Sequence, residues 1–280
     1  ERLADRGGEI GKAVLQFYSQ GRTVLRINEI VGELRQPRVE YLAGERKTET
    51  VHKEYGCLYS LDAAKLMFCL GNSLERMRTA LGVRRWETVV DMFAGIGQFS
   101  IPAAVIWRPR AVHAVELNPE AHGYLVRNIE LNNVDGVVHP HLGDCRDIVP
   151  QSLSGVADRV IMGFLRGTEK ALPAALSALR EVGGIIHFHE LAERNHWFGQ
   201  LFSIIKRQAE SLGYSVEVIS SREVKSYSGR LIHGSIEVFA KRLETKAPST
   251  ARLLMNRMQI ASRYLNKWNA RFGLTGQGLD

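Results

Sequence analysis

The chain is poor in cysteine. Its 280 residues contain three, Cys57, Cys69 and Cys145, far apart in the sequence. None has the paired spacing of a zinc site or a disulfide framework, so the expectation is a cytoplasmic protein in a reducing compartment, without structural metal. Long apolar runs are missing too. Nothing approaches the roughly eighteen consecutive apolar residues of a membrane span, so no membrane partner is expected. Glu1 to Arg6 lacks the apolar stretch of a signal peptide. The first residue is not Met, as expected of a processed or trimmed chain. Repeats and low-complexity tracts are absent.

Acidic residues are outnumbered, 30 Asp and Glu against 37 Lys and Arg, for a net charge of +7. The excess is concentrated: residues 241–280 hold eight Lys or Arg against two Asp or Glu. A basic tail suits phosphates, although a solvated helix face is the plainer reading of charge alone. Hydrophobic residues make up 45% and charged residues 24%, a mix that points to an ordinary globular protein. The length allows one large domain, a small one and a sizeable core.

Residues 1–85 read as a small mixed α/β subdomain. Arg22 to Ile30 and Val39 to Leu42 look like strands, and Thr48 to His52 leads to a Tyr55–Gly56 turn, which suggests a hairpin. Asp62 is placed to cap a short helix through Leu70, stopped by Gly71. Asn72 with Glu75 has the spacing of a capping box opening a second helix to Leu81.

From residue 86 to 243 strands and helices alternate. Strands are expected at Thr88–Phe93, Ala111–Leu117, Val137–Leu142, Asp158–Gly163 and Gly184–His189. Helices are expected at Gln98–Ile106, Pro119–Asn132 and Lys170–Leu179, with a long one ending at Leu212. Tyr214–Ser220 and Leu231–Ala240 close the series as an antiparallel pair. Near-continuous apolar strands between helices imply an α/β, Rossmann-like domain with a parallel sheet covered on both faces. Residues 244–280 form a basic tail with a helix over 251–271, where Leu254, Met258, Ala261, Leu265 and Trp268 make one apolar stripe. That stripe docks on the body or on a second copy, which leaves the oligomeric state open. Arg252, Arg257, Arg263, Lys267 and Arg271 crowd the other faces.

Asp91 to Gly97 sits at the carboxyl end of the first parallel strand, with Gly95 and Gly97 free to bring the backbone close to a ligand. Glu116 ends the next strand, where a carboxylate accepts hydrogen bonds from ribose hydroxyls. This much also admits NAD. The third glycine of the dinucleotide fingerprint is replaced by Ser100, and Asp144 follows the third strand, placed for an adenine amino group. Asp91, Gly95, Gly97, Glu116 and Asp144 together resemble the S-adenosylmethionine core of class I methyltransferases.

Asp91–Pro102 with Glu116–Pro119 narrows this further. These blocks, with His52–Gly56, Leu61–Asp62 and Met67–Phe68, resemble the family of archaeal and eukaryotic tRNA guanine N1-methyltransferases acting at tRNA position 37. The sister group is the wyosine-pathway aminocarboxypropyltransferases. The resemblance spans roughly residues 20–240. The methyltransferases carry an Asn-Pro-Pro or Asn-Leu-Pro turn after the fourth strand; here Gly163, Phe164 and Leu165 follow it, as in the sister group, and Gly184–His189 also looks like that group. The implied activity is transfer of the 3-amino-3-carboxypropyl group of S-adenosylmethionine to C7 of 4-demethylwyosine at position 37 of tRNA(Phe). Two alternatives stay open: methylation of guanosine N1 at that position, and a tRNA-binding protein without catalysis.

The resemblance also implies a cofactor set: Cys69, Arg76, Phe93, Gly95, Gly97, Glu116, Leu117, Asp144 and Cys145. Cys69 stands where the family has Ser, and Cys145 where Asn is usual. Arg76 is expected to pair with the cofactor's carboxylate through its fork. Both candidate reactions are in-line displacements at a sulfonium carbon, so the carbon aimed at the acceptor decides the product. Gly163 and Phe164 are expected to shape that choice. No general base is identifiable. Asp91 and Lys53 are candidate helpers, with plainer roles in bonding the glycine-loop backbone and contacting RNA phosphate. His187 and His189 share a strand face, and packing or a place near the target base suits them better than a metal. Trp197, Phe198 and Tyr227 are candidates for RNA contact, each with a packing or turn role as the alternative.

Overall fold

The computed structural model describes residues 4–243. The tail helix expected at 251–271 and its basic face lie outside the described residues. The chain opens with helix α1 (Gly7–Phe17), strands β1 (Thr23–Val31) and β2 (Gln36–Gly44), and a hairpin of β3 (Glu49–Glu54) and β4 (Cys57–Asp62). Then come α2 (Ser73–Gly82), β5 (Thr88–Asp91), α3 (Ser100–Trp107), β6 (Ala111–Glu116), α4 (Pro119–Leu131), β7 (Val138–Leu142), α5 (Cys145–Ser152) and β8 (Arg159–Met162). The order ends with α6 (Leu172–Ala178), β9 (Gly184–Glu193), α7 (Trp197–Ser211), β10 (Tyr214–Ser226) and β11 (Leu231–Arg242). No described helix is long and apolar enough to cross a membrane.

The main sheet has seven strands in the order β10-β11-β9-β8-β5-β6-β7. β5 to β9 run parallel, and β11 and β10 join antiparallel. The chain reverses its direction of travel across the sheet between β5 and β8, and that switch point opens a crevice at the strands' carboxyl ends. Strand alternation feeds both faces. Val89 and Ile161 join the core under α3 and α4, while Val90, Val160 and Met162 join the core under α6 and α7. This is the Rossmann-like architecture expected of the strand and helix pattern.

The β3–β4 hairpin docks on α4 through two asparagines one helical turn apart. Asn132 accepts from Leu58 N (2.8 Å) and donates to Leu58 O (2.7 Å). Asn128 accepts from Ser60 N (2.7 Å) and donates to Ser60 O (3.1 Å) and Ile96 O (3.0 Å). Each side-chain amide imitates a peptide group, so the helix satisfies the strand edge as a third strand would.

Four local expectations are corrected. No helix runs from Asp62 to Leu70; the Asp62 carboxylate accepts Ala64 N (2.9 Å), closing a turn instead. The Asn72–Glu75 capping box does not form, because Asn72 makes no capping bond and Glu75 turns inward, 2% exposed. α1 and α5 were not expected as helices. α1 carries Gly7, Gly8 and Gly11, which weaken its helical signal, yet Gly11 is what lets it press on β2. A Cβ there would lie 2.8 Å from the side chains of Ala43 and Leu42. α5 contains Pro150.

Candidate active site

Asp91 ends β5 fully buried. It accepts from Ser100 Oγ (2.6 Å) and Phe93 N (3.4 Å), tying the glycine loop to the start of α3. Burial pushes its carboxyl up to about 6, against the pull of those donors. Gly97 has φ +96°, and a Cβ there would come 2.5 Å from Ile101 Cγ1. Only glycine fits that turn.

Glu116 ends β6 and fixes the loop from the other side. Its two oxygens accept Gly95 N (2.7 Å) and Asn118 N (2.8 Å). Burial raises this carboxyl, opposed by its backbone donors. A carboxylate offers about four lone-pair sites, so ribose hydroxyls still have acceptors. Asp144 caps α5 by accepting Arg146 N (2.8 Å), and the Arg146 guanidinium closes on it. That partner holds Asp144 below the usual carboxylate range. Cys145 is buried, which pushes its thiol up to about 12.

These strand ends border a cleft of about 830 Å³. Of the residues expected to form the site, Cys69, Phe93, Gly95, Glu116, Leu117, Asp144, Cys145, Gly163 and Phe164 line it. The shape suits a nucleoside: carboxylates at the ends of the adjacent strands β6 and β7, a glycine turn beside them at the end of β5, and the stacked rings of Phe93 and Phe164 with centroids 4.9 Å apart. The donor set fits S-adenosylmethionine.

Arg76, Lys53, Asp91 and Gly97 do not line the cleft. Arg76 is 1% exposed, and its fork closes on Glu54, with Nε–Oε1 2.8 Å and Nη2–Oε2 2.6 Å. The bidentate partner expected from the cofactor is thus supplied by the protein. Arg76 also donates to Cys69 O (2.8 Å) and lies over the Phe68 ring at 4.6 Å, so it braces the wall that carries Cys69. Lys53 is exposed on the hairpin. Asp91 and Gly97 support the loop from beneath.

The two histidines of β9 have different nearest partners, linked through Glu237, Arg222 and Glu75. Arg159, bound to Glu87 by bonds of 2.8 and 3.0 Å, meets His187, whose Nδ1 lies 3.2 Å from Glu237. His189 lies against the cleft, with Nδ1 3.0 Å from His233 Nε2. Burial pushes both His189 and His233 down to about 3, so the pair is neutral at physiological pH. Among the described residues no group of three or more His, Cys, Asp or Glu is arranged to hold a metal ion. Trp197 and Phe198 pack edge to face at the start of α7, away from the cleft, whereas Tyr227 lines it.

Three cleft residues, Arg35, Arg166 and His233, are not singled out by the sequence, and two more, Phe99 and Asn118, lie in its recognised blocks without a role assigned to them. Arg35 stands over the Phe164 ring at 5.9 Å and Arg166 over the Tyr227 ring at 5.5 Å. With Lys65 and Lys170 they give the cleft a basic lining.

The family profile described as the TRM5/TYW2 methyltransferase domain matches residues 50–218, and the TYW2 N-terminal domain profile matches residues 1–48. The chain belongs to the TRM5/TYW2 family. It is 41% identical over 220 residues to the tRNA(Phe) (4-demethylwyosine(37)-C(7)) aminocarboxypropyltransferase of Methanocaldococcus jannaschii, covering 79% of this chain and 86% of that one. The structure of M. jannaschii TYW2 in complex with AdoMet aligns with a TM-score of 0.68 at 42% identity, over 73% of this chain and 90% of that chain. That of P. horikoshii TYW2 in complex with MeSAdo aligns with a TM-score of 0.77 at 33% identity, over 86% and 85%.

Proposed function

We propose that this TRM5/TYW2-family chain transfers the 3-amino-3-carboxypropyl group of S-adenosylmethionine to C7 of 4-demethylwyosine at position 37 of tRNA(Phe). The relative of that activity is matched over 86% of its length, and the cleft carries the two carboxylates and the glycine turn that a nucleoside cofactor needs. The observation that carries the choice of group is Gly163. Its Cβ position lies 2.5 Å from the Phe99 ring, so the asparagine of the methyltransferase turn has no room here. The proposed roles are ribose contact for Glu116, adenine-side contact for Asp144, and shaping of the transfer chamber for Gly163 and Phe164. Arg35, Lys65, Arg166 and Lys170 supply positive charge for an RNA backbone.

The test is incubation with S-adenosylmethionine and tRNA bearing 4-demethylwyosine, followed by mass spectrometry of the nucleoside by-product. Methylthioadenosine with the matching mass gain on the tRNA supports the reading. S-adenosylhomocysteine makes the chain a methyltransferase. Neither product, with cofactor shown to bind, leaves the fold assignment standing and makes the proposed acceptor wrong.

A further inference from the structure

The geometry points to Glu190 as the positioning residue that fixes the loop after β8 and, through it, the orientation of the acceptor nucleoside; this rests on the function proposed above. Glu190 follows His189 on β9 and is 6% exposed. Its carboxylate accepts Arg166 N (2.6 Å), Gly167 N (2.7 Å) and Thr168 N (2.9 Å), and also Leu191 N (2.7 Å). Three successive N–H groups converging on one anion form a backbone nest. The loop bends into it at two consecutive left-handed residues, Arg166 at φ +70° and Gly167 at φ +101°. Arg166 has a Cβ and disfavours that conformation. The carboxylate is what holds it there.

The consequence reaches the cleft through two side chains. Arg166 is carried over the Tyr227 ring. Thr168 Oγ1 donates to Phe164 O (2.8 Å), which anchors the residue stacked on Phe93. The Arg35–Phe164 and Arg166–Tyr227 pairs are two planar stacks lining one cleft, and their guanidinium planes suit a purine-derived base. Glu190 itself is not among the residues lining the cleft. It acts by keeping both surfaces in register, so that the acceptor carbon meets the transferred carbon in line.

Glu190→Gln keeps the size but turns an amide N–H toward backbone N–H groups. The expected result is unchanged S-adenosylmethionine affinity and a kcat for tRNA modification lower by about a hundredfold, the scale of a misplaced reacting group, with methylthioadenosine still the by-product. Glu190→Asp restores the carboxylate and recovers part of the rate. Gly167→Ala disturbs the same turn without touching the carboxylate, and reproduces the loss. A wild-type kcat in Glu190→Gln overturns the proposal. So does a parallel loss of cofactor binding and melting temperature that Glu190→Asp does not recover, since that is a structural role alone. If the wild type itself releases S-adenosylhomocysteine, the proposed function fails, while the kcat comparison among variants still decides Glu190.

Discussion

Gly163 and Phe99 compete for one corner of the cleft: a Cβ on Gly163 comes 2.5 Å from Phe99 Cε2 and 2.8 Å from Cδ2. Phe99 is 7% exposed at the start of α3, packed in the core under α3 and α4 on one side and lining the cleft on the other. Gly163→Ala is therefore expected to destabilise the fold by about 1–3 kcal/mol, the usual cost of overpacking. Gly163→Asn costs more, and Gly163→Asn with Phe99→Ala recovers part of it. Denaturant melts of the four proteins check this. A Gly163→Ala variant as stable as wild type would show that the ring yields freely.

The Glu116 carboxylate both shapes the glycine loop and faces the cleft. Glu116→Gln keeps the volume but turns one N–H toward a backbone donor, Gly95 or Asn118. S-adenosylmethionine affinity is expected to drop by about tenfold or more, since a charge-assisted hydrogen bond is worth roughly 1.5–3 kcal/mol. Calorimetric titration reads the change. An unaltered dissociation constant sinks the ribose-contact role.

Glu116 and Asp144 were legible because they follow from a repeating unit. Each parallel strand ends at the crevice, so an acidic residue just after a strand is placed without knowing any contact. What depends on long-range partners was hidden. The fork of Arg76 is closed by Glu54, 22 residues earlier on a separate hairpin. Nothing in the sequence singles out Asn128 and Asn132, and only the docking of β4 gives them work. Glu190 adjoins a histidine that drew attention, but its nest depends on a loop 22 to 24 residues away. The missed α1 has the same cause: its glycines argue against a helix locally and are repaid only by close contact with β2.

The Glu54–Arg76 pair is buried, with side chains 10% and 1% exposed. Removing one partner strands the other charge, so Glu54→Gln is expected to cost about 3–5 kcal/mol. Glu54→Gln with Arg76→Met removes both charges and restores much of the loss. Chemical denaturation of both variants measures it. A double variant no more stable than Glu54→Gln alone would point to the Phe68 and Cys69 contacts as the stabilising part.

Acid lowers stability through His189 and His233. Both are held near 3, against 6.5 when exposed, mainly by burial. The groups facing them are Glu75 on α2, His187 on β9, Arg222 and Lys225 on β10, and Glu237 on β11. Below pH 6.5 the unfolded chain takes up protons that the native pair refuses. This contribution is therefore complete above about 6.5 and is lost as pH falls toward 3. Asp91, raised to about 6, pulls the other way. The measurement is consequently a difference: between pH 6.5 and 4, His189→Gln should lose less stability than wild type. Parallel curves would show that the pair protonates without cost.

Arg35 and Lys170 line the cleft with Phe164 and Gly167. If they meet RNA phosphates, Arg35→Gln and Lys170→Gln each weaken tRNA binding and reduce its salt dependence. The plot of log affinity against log salt concentration should lose about 0.7–0.9 in slope per phosphate contact removed. Arg35 carries a second role, because its guanidinium also covers the Phe164 ring. Lys170 has no such contact with the ring, so its substitution should change the slope and leave kcat at saturating tRNA intact, whereas Arg35→Gln should lower both. Binding measured at several salt concentrations, with turnover at saturation, separates the two. An unchanged slope for both variants would move the RNA backbone away from this side of the cleft.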